Sequence, residues 1–290
     1  VKGIVPEELR EVGVEMVLCN AYHLWVRPGH GRIGELGGLH RFMNWSGPIL
    51  TDSGGYQVFS LRHLAKVSEQ GVKFRSPHEG QYRTLTPEVS VEIQETLGVD
   101  IAMAFDECIE WPAERDRVAR STERTTRWLK RCIAARRHPD RTALLGIVQG
   151  GFYDDLREAH AHEIVELDLD GYAIGGLSVG EPTDELLGMV ETTTPHLPND
   201  KVRYLMGVGY PVNLVDAVMR GVDIFDCVIP TRSGRFGYAF TSQGKLSIKH
   251  ARYGMDQEPL DPACTCYTCR SFSRAYLRHL FQSTEILAPR

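Results

Sequence analysis

Asp100-Ile101-Ala102-Met103-Ala104-Phe105-Asp106 and, further on, Ala143-Leu144-Leu145-Gly146-Ile147-Val148-Gln149 decide the fold. Each is an unbroken apolar run that ends on a polar residue, as a strand buried on both faces does. Between them Pro112–Arg136 reads as a helix. Before them Thr86-Pro87-Glu88 supplies an N-cap, a proline at the first helical position and a first-turn acid ahead of Val89–Leu97. Strands alternating with helices imply a parallel sheet with right-handed crossovers.

The same rhythm extends in both directions. Met16–Asn20, Pro48–Asp52, Gly171–Gly176, Arg203–Gly207 and Val222–Val228 are further strand-like runs, and Thr183–Thr194 and Pro211 to Arg220 read as helices. The expected fold is a (β/α)8 TIM barrel. Seven of its strands are countable, and the first is expected before Val1, because the chain opens on the helix signal Val5-Pro6-Glu7-Glu8. A doubly wound open sheet is the alternative, but no Gly-rich dinucleotide fingerprint is present. After Val228 the rhythm breaks into a hairpin pattern (Gly237–Thr241, Gly244–Ile248), a cysteine cluster and a helix from Ser271 to Phe281. The expected division is a catalytic barrel over 1–230 and a zinc-binding module over 231–290.

Composition is that of a folded globular chain, with 42% hydrophobic and 24% charged residues, and no apolar run reaches the roughly 18 residues that span a membrane. The seven cysteines are an odd number in a chain too large to need stapling, which argues against a disulfide framework and for a reducing cytoplasm. Net charge is −5, but residues 231–290 carry nine Lys/Arg against four Asp/Glu, so that segment is +5 and the preceding part −10. A basic module on an acidic body fits a phosphate-binding face, although an ordinary solvated surface gives the same count.

In a parallel barrel, chemistry collects at the carboxyl ends of the strands. Those ends hold Asn20 and His23, Asp52 to Gln57, Asp106-Glu107, Gln149-Gly150-Gly151, Gly175-Gly176-Leu177, Met206-Gly207 and Asp226. Paired glycines at three such ends let backbone amides and carbonyls approach a flat ligand. Asp52 and Asp226 each close an apolar strand, where a bare carboxylate is costly without a partner. Two carboxylates at one cleft suit nucleophilic and acid/base work on an acetal-type carbon, and an N-glycosidic carbon is one. For a single Asp, an N-cap to the next helix is the plainer reading. Cys264-x-Cys266-x-x-Cys269 places three thiolates within six residues, three corners of a tetrahedral zinc site of structural type. His250 and His279 flank it without a compelling spacing.

With these pieces in order, the chain resembles the tRNA-guanine transglycosylase family from Val1 to Arg290. The matching stretches are Thr51 to Gln57, Phe105 to Cys108, Val148 to Gly151, Gly175 to Glu181, Tyr204 to Gly209, Phe225 to Val228, Pro230 to Arg235 and the three cysteines. The resemblance implies that Asp226 is the nucleophile on the ribose C1′ and Asp52 the general acid/base. Tyr56 and Met206 would sandwich the purine, and Ser53, Asp106, Gln149, the Gly176 amide and the Leu177 carbonyl would read its edge. Arg232, Arg235, Lys249 and Arg252 would hold the anticodon loop of tRNA, and Cys264, Cys266 and Cys269 would bind one structural zinc.

The implied reaction replaces the wobble guanine by a 7-deazaguanine. Cys108 and Val179 resemble the bacterial form, which takes the 7-aminomethyl base; the eukaryotic form takes queuine. The resemblance also implies a homodimer. The family's zinc histidine lies about 26 residues past the third cysteine, in a helix that would fall beyond Arg290. A catalytically silent tRNA-binding partner and a barrel nucleoside hydrolase are the competing readings; the first would lack Asp52 or Asp226, and the second needs neither thiolates nor a basic module.

Overall fold

In a computed structural model, residues 3–60, 65–76 and 80–290 are described. The chain forms two compact units, Gly13–Asp226 and a second made of Val1–Val12 with Cys227–Arg290. The first unit holds β1 (Val17–Cys19), β2 (Ile49–Thr51), β3 (Ala65–Ser68), β4 (Gly71–Arg75), β5 (Tyr82–Leu85), β6 (Ile101–Met103), β7 (Ala143–Val148), β8 (Gly171–Ile174), β9 (Val202–Leu205) and β10 (Ile224–Phe225). The second holds β11 (Tyr238–Thr241) and β12 (Gly244–Ser247), paired antiparallel.

Seven strands form one sheet in the order β1-β2-β6-β7-β8-β9-β10, every pair parallel. Each strand therefore lies beside the next one of the sheet in sequence. A doubly wound sheet must reverse its order at a switch point, and this one does not, so the architecture is that of the (β/α) barrel. Helices Pro87–Leu97, Arg115–Ala135, Asp154–Val165, Thr183–Thr193 and Pro211–Val218 make the crossovers. Leu50, Met103, Leu145, Ile147, Ala173 and Tyr204 pack as one buried cluster on the strands, with Met206 against it. On the helix layer, the Phe105 and Trp128 rings stack 4.7 Å apart.

Several elements differ from expectation, for local reasons. The strands are shorter than their apolar runs, because their carboxyl-end residues leave the ladder for side-chain partners. The Phe105 N–H meets the Cys132 sulfur at 3.3 Å, and the Glu107 N–H meets Thr125 Oγ1 at 3.1 Å. An antiparallel sheet, β3-β4-β5, stands between β2 and helix Pro87–Leu97. Helix Asp154–Val165 follows the Gly150-Gly151 turn. The helix expected over Ser271–Phe281 is two, Tyr267–Ser271 and Arg274–Gln282. Phe272 is extended between them, and Ser273 caps the second by accepting from the Tyr276 N–H at 3.2 Å. Residues Ile229–Phe236, for which the sequence offered no element, are helical. In the second unit Leu246, Ile248, Tyr253 and Leu277 form a small core. No helix among the described residues is long and apolar enough to cross a membrane.

Candidate active site and thiolate cluster

Because the sheet is parallel, the residues that follow its strands gather at one end. Asp52 follows β2 and is nearly buried, 9% exposed. The Asn20 side-chain amide donates to its Oδ2, and the Ala21 N–H donates to Oδ1 at 3.0 Å. Asn20 serves twice, since its Oδ1 also caps helix Ala21–Val26 by accepting from the His23 N–H at 3.1 Å. His23 itself is exposed. Burial pushes the Asp52 carboxyl up to about 7, against the backbone N–H groups of Ala21 and Gly54, and the charge of Asp226 raises it further. A group with that value can release and take back a proton near neutrality.

Asp226 follows β10, and its Oδ1 accepts from the Tyr204 hydroxyl at 2.6 Å and from the Gly207 N–H at 2.8 Å. Two donors on one oxygen fix the carboxylate's orientation. Tyr204 is almost wholly buried within β9, and burial, then the Asp226 charge, raises its hydroxyl well above its ordinary value, so it stays a donor. The sequence reading placed Tyr204 at the head of a matching stretch but gave it no role, since a tyrosine in an apolar strand looks like core.

A second cluster lies at the ends of β6, β7 and β8. Gln149, 1% exposed, donates its side-chain N–H to Asp106 Oδ2 at 2.7 Å, and the Ser53 hydroxyl lies 3.4 Å from Asp106 Oδ1. Burial raises the Asp106 carboxyl to about 6, with the Gln149 and Ser53 hydrogen bonds opposing. The other end of the Gln149 amide, Oε1, is buried and has no partner among the described residues. Glycine is required beside both groups. A Cβ on Gly55 would stand 2.7 Å from Asp106 Oδ1, and one on Gly176, where φ is +66°, would stand 2.4 Å from Gln149 Oε1.

Two residues that sequence reasoning passed over support this cluster from helix Asp154–Val165. Arg157, fully buried, donates from Nε to the Gly151 carbonyl at 2.7 Å and from Nη2 to the Gly175 carbonyl at 2.8 Å. It thereby ties the two Gly-Gly turns together, and burial lowers its guanidinium to about 10. His160 accepts the Gln149 backbone N–H at 2.8 Å through Nδ1; burial lowers its imidazole to about 3, which makes it a neutral acceptor. Glu107 is held by Arg117 at 2.6 Å and by Arg124. Glu181 closes the next turn, its carboxylate taking the N–H groups of Ser178 and Val179.

The other expected residues sit nearby in sequence. Tyr56, 53% exposed, opens helix Gly55–Ser60; Met206 is partly buried beyond β9; Leu177 is buried beyond β8. Cys108 is partly buried, and burial raises its thiol above the ordinary range.

In the second unit the ligand atoms of Cys264, Cys266 and Cys269 lie within 4.8 Å of one another, and neither His250 nor His279 joins them. Against the cost of burial, the Cys269 N–H and the neighbouring thiols lower Cys266, while burial raises Cys269 to about 11. Three sulfurs this close together, one of them with its thiol lowered, fit a soft metal ion. Arg232 is exposed and Arg235 half-buried on helix Ile229–Phe236, and Lys249 is exposed. Arg252 is partly occupied: its guanidinium donates to the Tyr253 hydroxyl at 2.5 Å and lies over that ring.

A family model described as queuine tRNA-ribosyltransferase matches residues 1–290. The chain belongs to the queuine tRNA-ribosyltransferase family. Members of that family are, by their name, enzymes that transfer a pentosyl group. The queuine tRNA-ribosyltransferase of Acetivibrio thermocellus is 54% identical over 290 residues, all of this chain and 78% of that protein. Those of Caldanaerobacter subterraneus subsp. tengcongensis and Pelotomaculum thermopropionicum are each 56% identical over 290 residues, covering 77% and 78% of their lengths.

Proposed function

We propose that the protein exchanges a guanine of tRNA for 7-aminomethyl-7-deazaguanine through a covalent aspartyl–ribose intermediate. The carrying observation is the unequal pair: Asp226 is oriented by two donors, and Asp52 is pushed up to about 7. Pairs of carboxyls in environments that push them apart divide into nucleophile and acid/base.

Asp226 Oδ2, the oxygen not engaged by Tyr204 and Gly207, attacks C1′ as the C1′–N9 bond breaks. The guanine departs as a neutral base with a proton from Asp52. The incoming base then gives a proton to Asp52, attacks C1′ and restores the Asp226 carboxylate. Before the exchange, Tyr56 and Met206 flank the ring, and Asp106, mostly ionised at neutral pH, accepts N–H donors of the purine edge. The unpartnered end of Gln149, the Gly176 amide and the Leu177 carbonyl complete the reading. A base lacking those groups leaves buried polar atoms unpaired and is rejected.

Arg232, Arg235, Lys249 and Arg252 contact the anticodon loop, where a single-stranded base unstacks at little cost. Residues 1–230 supply the chemistry and 231–290 the tRNA-contacting module. Cys264, Cys266 and Cys269 hold one structural zinc, which would fix that module's shape and take no part in the exchange. Val179 and Cys108 assign the bacterial form. A homodimer in the reducing cytoplasm completes the reading.

The test is release of labelled guanine from tRNA bearing a wobble guanine, with and without the aminomethyl base. Base-dependent release is expected. Catalytic guanine release that needs no incoming base and leaves an abasic ribose in the tRNA would favour a hydrolase, and tRNA binding without release a silent partner.

A further inference from the structure

Glu158 and His162 stand four residues apart on helix Asp154–Val165, so their side chains share one face. His196 ends the turn Thr194–His196, which continues helix Thr183–Thr193 and leads towards the amino end of β9. Glu158 Oε1 lies 4.0 Å from His162 Nε2 and 4.0 Å from His196 Nε2. The two imidazole rings meet edge to face with centroids 4.7 Å apart. All three ligand atoms fall within 4.8 Å of one another. No hydrogen bond closes the triangle among the described residues, since both nitrogen–oxygen separations exceed hydrogen-bonding range.

We propose that Glu158, His162 and His196 form a second divalent-metal site, on the outer helices at the end of the barrel away from Asp52. Two imidazoles and one carboxylate suit zinc, nickel or copper rather than magnesium or calcium. A tetrahedral ion with bonds of about 2.1 Å needs its ligand atoms roughly 3.4 Å apart. From within 4.8 Å, small side-chain rotations of Glu158, His162 and His196 reach that spacing; Glu158 and His162 are exposed, and Glu158 makes no hydrogen bond among the described residues. Three protein ligands leave the fourth position to water. The ion would tie helix Asp154–Val165 to the connection after helix Thr183–Thr193. Since Arg157 and His160 lie on that same first helix, it would steady the helix that supports the two Gly-Gly turns.

The test is a Co(II) titration of the whole chain, followed by absorption, with Zn(II) and Ni(II) compared by calorimetry. The expected result is two bound equivalents at micromolar metal. One shows sulfur-to-cobalt charge transfer and is lost in Cys266→Ser. The other lacks that band and is lost in His162→Ala, in His196→Ala and in Glu158→Gln, each of which keeps the thiolate signal and its circular dichroism. The wild type should gain several degrees of thermal midpoint on filling the second site, and His162→Ala should not. Equal stoichiometry in wild type and His162→Ala, or a second equivalent that needs millimolar metal, would overturn the proposal.

Discussion

Gly176→Ala is a one-carbon perturbation whose consequences can be worked from geometry. At φ +66° an alanine is in the left-handed region, which costs about 1–2 kcal/mol relative to glycine. The added Cβ would stand 2.4 Å from Gln149 Oε1, closer than atoms can approach, so the Gln149 side chain must rotate away. That rotation breaks the 2.7 Å hydrogen bond to Asp106 Oδ2. Hydrogen bonds to charged groups contribute roughly 1.5–3 kcal/mol, so the total loss is about 2.5–5 kcal/mol. Part falls on stability and part on the pocket. Asp106, deprived of its donor, should move further up from about 6. The assay is urea unfolding by circular dichroism beside calorimetry of guanine binding over pH. The expected outcome is a lower unfolding free energy, guanine affinity down at least tenfold at pH 7, and a binding profile whose midpoint moves to higher pH. Unfolding unchanged within about 0.5 kcal/mol together with unchanged guanine affinity would refute the pocket's geometry.

Other expected outcomes rest on single groups. Asp52 sits at about 7 against an ordinary 3.8, a raised value, so its contribution to stability is fully present below about pH 4 and is lost progressively as pH rises from there to about 7. Asp52→Asn should therefore gain stability over wild type by a few kcal/mol at pH 8, keep about a third of that advantage at pH 5 and lose it below about pH 4, as followed by thermal unfolding at each pH. Arg157→Met leaves the Gly151 and Gly175 carbonyls without donors, at about 1–3 kcal/mol for each; relief of the buried charge offsets part. Chemical denaturation should show a net loss, and guanine binding should weaken with it. Cys266→Ser should release one metal per chain and weaken tRNA binding while leaving guanine binding intact, measured by elemental analysis and filter binding. If the basic second unit holds phosphates, tRNA affinity should fall steeply with salt, and Arg232→Ala should lessen that slope.

How far the sequence reaches is clearest at the strand ends. Apolar runs closing on Asp52, Asp106, Gln149 and Asp226 give both barrel and pocket, because a buried parallel strand and a strand-end site leave their mark within a few residues. Arg157 and His160 escape the same reading. A charged residue on an amphipathic helix ordinarily faces water, and only the packing of that helix against two Gly-Gly turns makes Arg157 an interior donor. Tyr204 escapes for the converse reason, since its ring is core and only its hydroxyl reaches Asp226. The β3-β4-β5 sheet depends on partners distant in sequence: the Trp128 indole N–H and the Arg131 guanidinium both donate to the Glu69 carbonyl, at 2.8 Å each. The break at Phe272 was legible in principle, with Ser273 a ready cap, but the apolar period runs through it. Arg252 shows the limit of counting charge, because part of its donor capacity is taken by Tyr253.

The most direct measurement is a denaturing-gel search for a covalent protein–tRNA adduct, using tRNA with a wobble guanine and the wild-type, Asp226→Ala and Asp52→Asn chains. The account predicts an adduct with wild type that the aminomethyl base discharges, none with Asp226→Ala, and a slowed one with Asp52→Asn. An adduct that survives in Asp226→Ala, or guanine exchange by that variant at the wild-type rate, would contradict it.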